Sequence, residues 1–305
     1  MSGKIIPGDV AQVKALMGRV LGTEEYCGIS RLGGLTNHTY RVQLQNGEEY
    51  VIRIPGEGTE ELIDRQDEKA STELACKLDI DAQLLYFGTD GAKVSRYIPQ
   101  AVTMSADTLK ELENIRLVAR IFRKIHSCGV DTGVPFEVFD MAEGYERIIR
   151  EKNVPMFDDY AAVKEAVIAI KAEIDGVVNA EKVPCHNDPL CENWVRSGER
   201  MYLIDWEYAG MNDGMWDLAD VSIEAGFDEA CDRQLLREYT GREPDVGVEK
   251  HFLASKIYVD YLWTLWAKAR VPYDGQPMED WAVERYTRMK TFLAAYNRLC
   301  GTTEE

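Results

Sequence analysis

The chain has 305 residues, 45% of them hydrophobic, which fits two modest domains or lobes with ordinary globular cores. Its 53 acidic and 35 basic side chains leave a net charge of −18, which argues against a nucleic-acid backbone as partner and favours small cations over polyanions. Seven scattered cysteines with no C-x-x-C read as reduced thiols, and no stretch has the apolar length of a membrane span or of a signal peptide's core, so a cytoplasmic protein off the membrane is expected.

In chain order, Asp9 is placed to cap a helix running to about Leu21, with Val10, Val13, Leu16, Met17 and Val20 on its apolar face. The alternating segments 40–44 and 49–54 flank Asn46-Gly47, a strong hairpin signal, so the chain opens as antiparallel sheet. Just upstream, R-L-G-G-L-T-N-H-T-Y holds Gly33 and Gly34, whose amides are free to approach a phosphate, with Thr36 and Asn37 able to add hydrogen bonds; an ordinary turn is the alternative. Strand alternation points Arg53 away from the face of Ile52 and Ile54, as a phosphate clamp or as a surface arginine. Residues 60–78 form a charged helix with a stripe of Leu62, Ala70, Leu74 and Leu78, and one of its acids is expected to pair with Arg53, Glu68 ahead of Glu73. Two further strands surround Asp90-Gly91, and Pro99 ends a first lobe of residues 1–98, leaving 99–305 as a second.

From Ser105 the period turns helical to about Cys128, with Leu109, Leu112, Ile115, Phe122 and Ile125 inward. His126 at its end reads as a helix C-terminal histidine rather than a metal ligand. Helices follow at about 140–152 and 158–177.

The most informative stretch is V-P-C-H-N-D-P-L-C-E-N-W-V-R-S-G-E-R-M-Y-L-I-D-W-E-Y, residues 183–208. Ser197-Gly198 marks a hairpin turn, and a hairpin of that size brings Asp205 toward Asn193 and Asp188. Two carboxylates and a carboxamide suit phosphoryl transfer from a nucleotide: one carboxylate takes a hydroxyl proton, while the amide and the other carboxylate hold magnesium on the phosphates. A solvated acidic hairpin is the plain alternative.

A helix opens near Asp213. Farther on, I-Y-V-D-Y-L-W-T-L-W-A-K-A sets Asp260, Trp263 and Trp266 one helical turn apart, an acid and two indoles on one flank. Such a flank is either packed core or a cage for a quaternary ammonium, in which each ring contributes about 0.5–2 kcal/mol.

H-N-D-x-x-x-x-N followed by I-D-W-E-Y resembles the choline/ethanolamine kinase family, within the kinase-like aminoglycoside phosphotransferases. The resemblance runs from about Ile29 to Tyr296. It implies an α/β (α+β) protein-kinase-like fold of two lobes, a small antiparallel-sheet lobe binding nucleotide and a mostly helical lobe binding the acceptor. It implies ATP and Mg2+ as cofactors and choline as a small-molecule substrate, with Asp188 as base and Asn193 and Asp205 on magnesium, Glu207 lying near the metal or the acceptor. Gly33, Gly34, Leu35, Thr36 and Asn37 match the family's G-G-L-S/T-N segment, which covers the phosphates. Arg53 stands where kinases place a phosphate-binding lysine, and choline kinases resemble it there. Tyr97 and Ile98 fall in the link that grips adenine, Asp217 where an aspartate braces the catalytic loop, and Glu224 near the acceptor's cationic head. L-W-T-L-W and the later E-D-W resemble the family's aromatic box, giving Trp263, Trp266 and Trp281 with Asp260 around the trimethylammonium. The implied activity is choline kinase. Ethanolamine, another amino alcohol or an aminoglycoside as acceptor, or a non-catalytic binding protein of the same fold, are the other readings.

Overall fold

The computed structural model describes residues 5–33, 37–56 and 64–301. The chain first lays down α1 (Pro7–Leu21), β1 (Gly28–Gly33), β2 (Asn37–Gln43), β3 (Glu49–Pro55), α2 (Arg65–Lys77), β4 (Leu84–Phe87), β5 (Lys93–Arg96) and β6 (Val102–Thr103). It continues through α3 (Ala106–Leu109), α4 (Leu112–His126), α5 (Val138–Glu151), α6 (Tyr160–Val177) and β7 (Lys182–Cys185). A hairpin of β8 (Trp194–Ser197) and β9 (Arg200–Leu203) follows, then β10 (Gly210–Asp213), α7 (Gly214–Ala225), α8 (Glu229–Thr240), α9 (Val246–Asp274) and α10 (Gln276–Gly301). Among the described residues, no helix is long and apolar enough to cross a membrane.

Two compact units result: residues 1–105 with 192–209, and 106–191 with 210–305. The division differs from a single cut after residue 98, because the β8–β9 hairpin pairs back into the first unit. Val102 and Thr103 of β6 face Arg196 and Val195 of β8, and the Leu203 amide donates to the Ile80 carbonyl.

The first unit is built on an antiparallel sheet of order β1-β2-β3-β5-β4. One sheet face presents Tyr40, Val42, Tyr50, Ile52, Ile54 and Val94, and α1 covers it with Val13, Leu16 and Met17. Arg53 alternates to the other face, as the pleat requires. α1 departs from expectation at its start. It begins at Pro7 without a side-chain cap, and the Asp9 carboxylate instead accepts from Tyr40 Oη at 2.6 Å and lies 2.7 Å from His38 Nδ1, tying helix to sheet. The hairpin at Asn46-Gly47 closes with a three-residue loop in which Gly47, at φ 84°, takes the left-handed position. α2 starts later than the charge pattern suggested, capped by Asp64, whose carboxylate accepts from the Gln66 amide at 2.8 Å.

The second unit is helical around α9, whose 29 residues are buried along most of their length against α5, α7 and α10. Its only paired strands among the described residues are β7 and β10, in the register Cys185 to Gly210. The helix expected from Ser105 to Cys128 is broken into α3 and α4. Leu112, expected inward, is 48% exposed at the start of α4, while Ile115, Phe122 and Ile125 are buried.

Candidate active site

In the first unit the candidate nucleotide residues converge on the sheet face opposite α1, around a cavity of about 290 Å³. Arg53 is buried there. Its Nη1 lies 2.5 Å from Glu68 Oε1 and 3.6 Å from Asp205 Oδ1, and its Nε and Nη2 donate to the Gly91 carbonyl at 3.2 and 2.9 Å. Gly91 turns at φ 86°, and a Cβ at that position would come within 2.6 Å of the Arg65 side chain. Glu68, not Glu73, is therefore the partner of Arg53; Glu73 pairs on the surface with Lys69. Burial raises the Glu68 carboxyl, but the charge and hydrogen bond of Arg53, with Lys93 and Arg65, outweigh it and hold the group below its ordinary range.

Asn193 and Asp205 are brought together by the hairpin. Trp194 pairs with Leu203, and the Ile204 amide donates to the Asn193 carbonyl at 2.9 Å. The turn holds Gly198 and Glu199, one residue beyond the Ser197-Gly198 expected, with Gly198 at φ 59°. Asp205 sits at φ 69°, a left-handed conformation costly for a non-glycine residue, and its side chain keeps 42% of its accessibility. Glu207 follows at the end of the same turn. Its Oε2 accepts from Asn37 Nδ2 at 3.1 Å and lies 3.8 Å from Arg65 Nη1. Burial, then the charges of Asp205 and Glu68, push the Glu207 carboxyl up to about 7 against the opposing Arg53. Asn193, Asp205 and Glu207 offer an amide oxygen and two carboxylates, hard oxygen donors of the kind that fits a divalent cation.

Tyr97 and Ile98 line the same cavity, with the Tyr97 amide donating to the Glu49 carbonyl at 3.1 Å. Asn37 is buried against Glu207, and Gly33 ends β1 at a register shift. Gly34, Leu35 and Thr36 lie outside the described residues. Among the cavity residues that escaped the motif reading are the charged Asp81, Lys93 and Arg96. Lys93 stands directly opposite Arg53 in the β3–β5 ladder, so the strand pairing carried that signal. Asp81, in the loop after α2, has no local signature.

In the second unit Asp188 follows a loop whose backbone is clamped by Asp217. Asp217 Oδ2 accepts from the His186 amide at 2.8 Å and Oδ1 from the Asn187 amide at 2.7 Å, while His126 Nε2 lies 2.9 Å from Oδ2. Asn187 is left-handed, at φ 65°, and Trp216 Nε1 donates to its carbonyl. The loop is thus over-determined, which is what holding one carboxylate in a strained turn demands. His126, Cys185 and Asp217 bring one ligand atom each within 4.8 Å of one another, but the Asp217 oxygens serve the loop, and burial, with Asp217 adding, pushes the Cys185 thiol well up. The trio is a brace.

The three indoles also meet. Trp263 and Trp266 lie edge to face with centroids 6.1 Å apart, and Trp266 and Trp281 at 5.7 Å. Trp263 is 4% exposed, Trp266 and Trp281 half-buried. The acids expected beside them are engaged elsewhere. Asp260 is fully buried, taking Arg285 Nη1 at 3.1 Å and both Nε and Nη2 of Arg288 at 2.8 and 2.7 Å, so it joins α9 to α10 and is closed to solvent. Glu224 accepts from Arg285 Nη2, and the Arg285 guanidinium stacks 4.1 Å from the Trp281 ring. Neither arginine was visible as a site residue, since both lie more than twenty positions from the acids they meet.

The family model for choline/ethanolamine kinase matches residues 29–260. A choline/ethanolamine kinase family protein from Mesorhizobium loti is 31% identical, with a TM-score of 0.85 covering 95% of this chain and 97% of that one. Choline kinase LicA from Streptococcus pneumoniae is also 31% identical, with a TM-score of 0.80 over 94% and 99%. Protein LicA of Haemophilus influenzae is 26% identical over 265 residues, 84% of this chain and 77% of its own. The chain belongs to the choline/ethanolamine kinase family and is a phosphotransferase with an alcohol group as acceptor.

Proposed function

We propose that the protein is an ATP-dependent choline kinase, forming phosphocholine and ADP. The observation that carries the choice of acceptor is the edge-to-face cluster of Trp263, Trp266 and Trp281. Indole faces attract a cation without asking it for N–H donors, so they suit a trimethylammonium better than the amines of an aminoglycoside. Ethanolamine, the family's other substrate, is the second reading.

In this reading the first unit binds ATP. The Tyr97–Ile98 segment meets the adenine, Gly33 to Asn37 cover the phosphates, and Arg53, oriented by Glu68, supplies positive charge. Mg2+ held by Asn193, Asp205 and Glu207 would neutralise charge on the phosphate oxygens. In the second unit the tryptophans hold the ammonium and Asp188 takes the hydroxyl proton. As that proton moves to Asp188, the choline oxygen bonds to the γ-phosphorus and the bond to the β,γ-bridging oxygen breaks, releasing ADP.

An ADP-release assay with choline, ethanolamine and kanamycin tests the proposal. Turnover highest on choline is expected, and Asp188→Asn should abolish it while nucleotide binding persists. Preference for ethanolamine moves the assignment to the second reading, and no turnover on any acceptor points to a binding protein.

A further inference from the structure

α7 carries three acids on one face, Asp217, Asp220 and Glu224, spaced three and four residues apart. Two have evident employment: Asp217 clamps the Asp188 loop and Glu224 pairs with Arg285. Asp220 has none. It is 1% exposed, and neither carboxyl oxygen has a hydrogen-bond partner among the described residues. A buried polar group in that state is expensive to keep unless something else completes it.

Its surroundings indicate what is missing. Asp220 feels Glu224 and Asp217 from its own helix, Asp188 from the loop after β7 and Arg285 from α10. Glu224 and Asp260 are matched by Arg285 and Arg288, two anions against two cations, and Glu284, which lines a pocket with Trp281 and both arginines, is exposed. A cationic acceptor arriving beside Arg285 meets no spare negative charge in those pairs.

We infer that Asp220 supplies the counter-charge for the cationic end of the acceptor, and so is a specificity-determining residue of this site. The inference rests on the reading above that the acceptor is a cationic amino alcohol. In the free protein burial, then Glu224 and Asp188, push the carboxyl well above its ordinary range against Arg285. The bound cation favours the ionised form, so the Asp220 proton passes to solvent as the acceptor binds. Acceptor affinity therefore strengthens as pH rises, since the ionised form is the one that binds.

The test compares choline with 3,3-dimethylbutan-1-ol, which keeps the shape and hydroxyl but lacks the charge, in the wild type and in Asp220→Asn. The choline preference in kcat/KM should fall on the order of 30-fold or more through the choline KM, the usual loss when one of a buried charge pair is removed. The KM for ATP and turnover of the neutral alcohol should hold. A merely structural role would depress both alcohols together. A second measurement needs only the wild type: the heat of choline binding in buffers of different ionisation enthalpy should reveal net proton release on binding. An unchanged preference in the variant, or no proton released by the wild type, overturns the assignment. Preference for ethanolamine changes the pair to ethanolamine and propan-1-ol. No turnover of either amine overturns the functional reading, and is seen before any variant is made.

Discussion

Arg53 Nη1 and Glu68 Oε1 lie 2.5 Å apart with both side chains almost wholly removed from solvent, and a second arginine, Arg65, holds the other Glu68 oxygen at 2.6 Å. A carboxylate shared by two buried guanidiniums fixes the Arg53 fork on the cavity face of the sheet. Breaking such a pair from one side strands a charge in the interior. Glu68→Gln should therefore cost about 3–5 kcal/mol in urea unfolding. Replacing Arg53 as well, Arg53→Met with Glu68→Leu, should recover part of that stability, since Arg65 still loses the carboxylate it shares. The ATP KM of the double variant should stay roughly 10- to 100-fold raised, for want of the charged hydrogen bonds. Recovery of both properties would remove Arg53 from the nucleotide site.

Asp217 never needs to touch a substrate to matter. It fixes the His186 and Asn187 amides and thereby the direction of Asp188. Asp217→Ala should lower kcat about a hundredfold, the ordinary consequence of misplacing a reacting group by an ångström, with both KM values nearly unchanged. Steady-state kinetics in both substrates would separate this from lost binding.

Asp81 makes stability depend on pH. Burial, opposed chiefly by Lys93, lifts its carboxyl from the ordinary 3.8 to about 6. A folded-state value above the unfolded one contributes stability that is complete below about 3.8 and lost as pH rises through about 6. Asp81→Asn should accordingly stabilise the nucleotide-free protein by about 2–3 kcal/mol at pH 8, at 1.4 kcal/mol per unit, and hardly at all near pH 4. The asparagine retains an oxygen for the Ala82 amide, which Asp81 Oδ1 accepts at 2.6 Å. Equal effects at the two pH values would show the group does not titrate between them.

The three indoles should respond differently to truncation. Trp266 is half-buried, and Trp266→Ala should raise the choline KM about 3- to 30-fold with little change in Tm, since a cation over one ring is worth about 0.5–2 kcal/mol. Trp263 is nearly closed off, and Trp263→Ala should cost about 3–5 kcal/mol of stability as well. An unaltered choline KM in both would leave the cluster as packing alone.

Local chemistry made much of this molecule legible. The antiparallel strands, the glycine turns at Gly47 and Gly91, and the hairpin that joins Asn193 to Asp205 all follow from short-range periodicity and turn geometry, and Glu68 stands out for Arg53 by its place in D-R-Q-D-E-K. The Asp9 cap was misjudged because a nearby tyrosine and histidine on β2 compete for the carboxylate more strongly than the helix amides do. Helical spacing sets Asp260 on one flank with Trp263 and Trp266 and says nothing of the two arginines that cover it.

Residue types and their order within 183–208 were sufficient to mark the candidate site and to suggest phosphoryl transfer, because each proposed role demands a particular side chain at a short separation. Which acids retain usable charge was decided only by tertiary structure. Arg285 and Arg288 come from the last helix to neutralise Glu224 and Asp260, while Asp220, one turn from Asp217, is left buried without a hydrogen-bond partner among the described residues. Electrostatic balance is summed over every group within a few ångströms, whatever its place in the chain, and such a sum cannot be taken along the sequence.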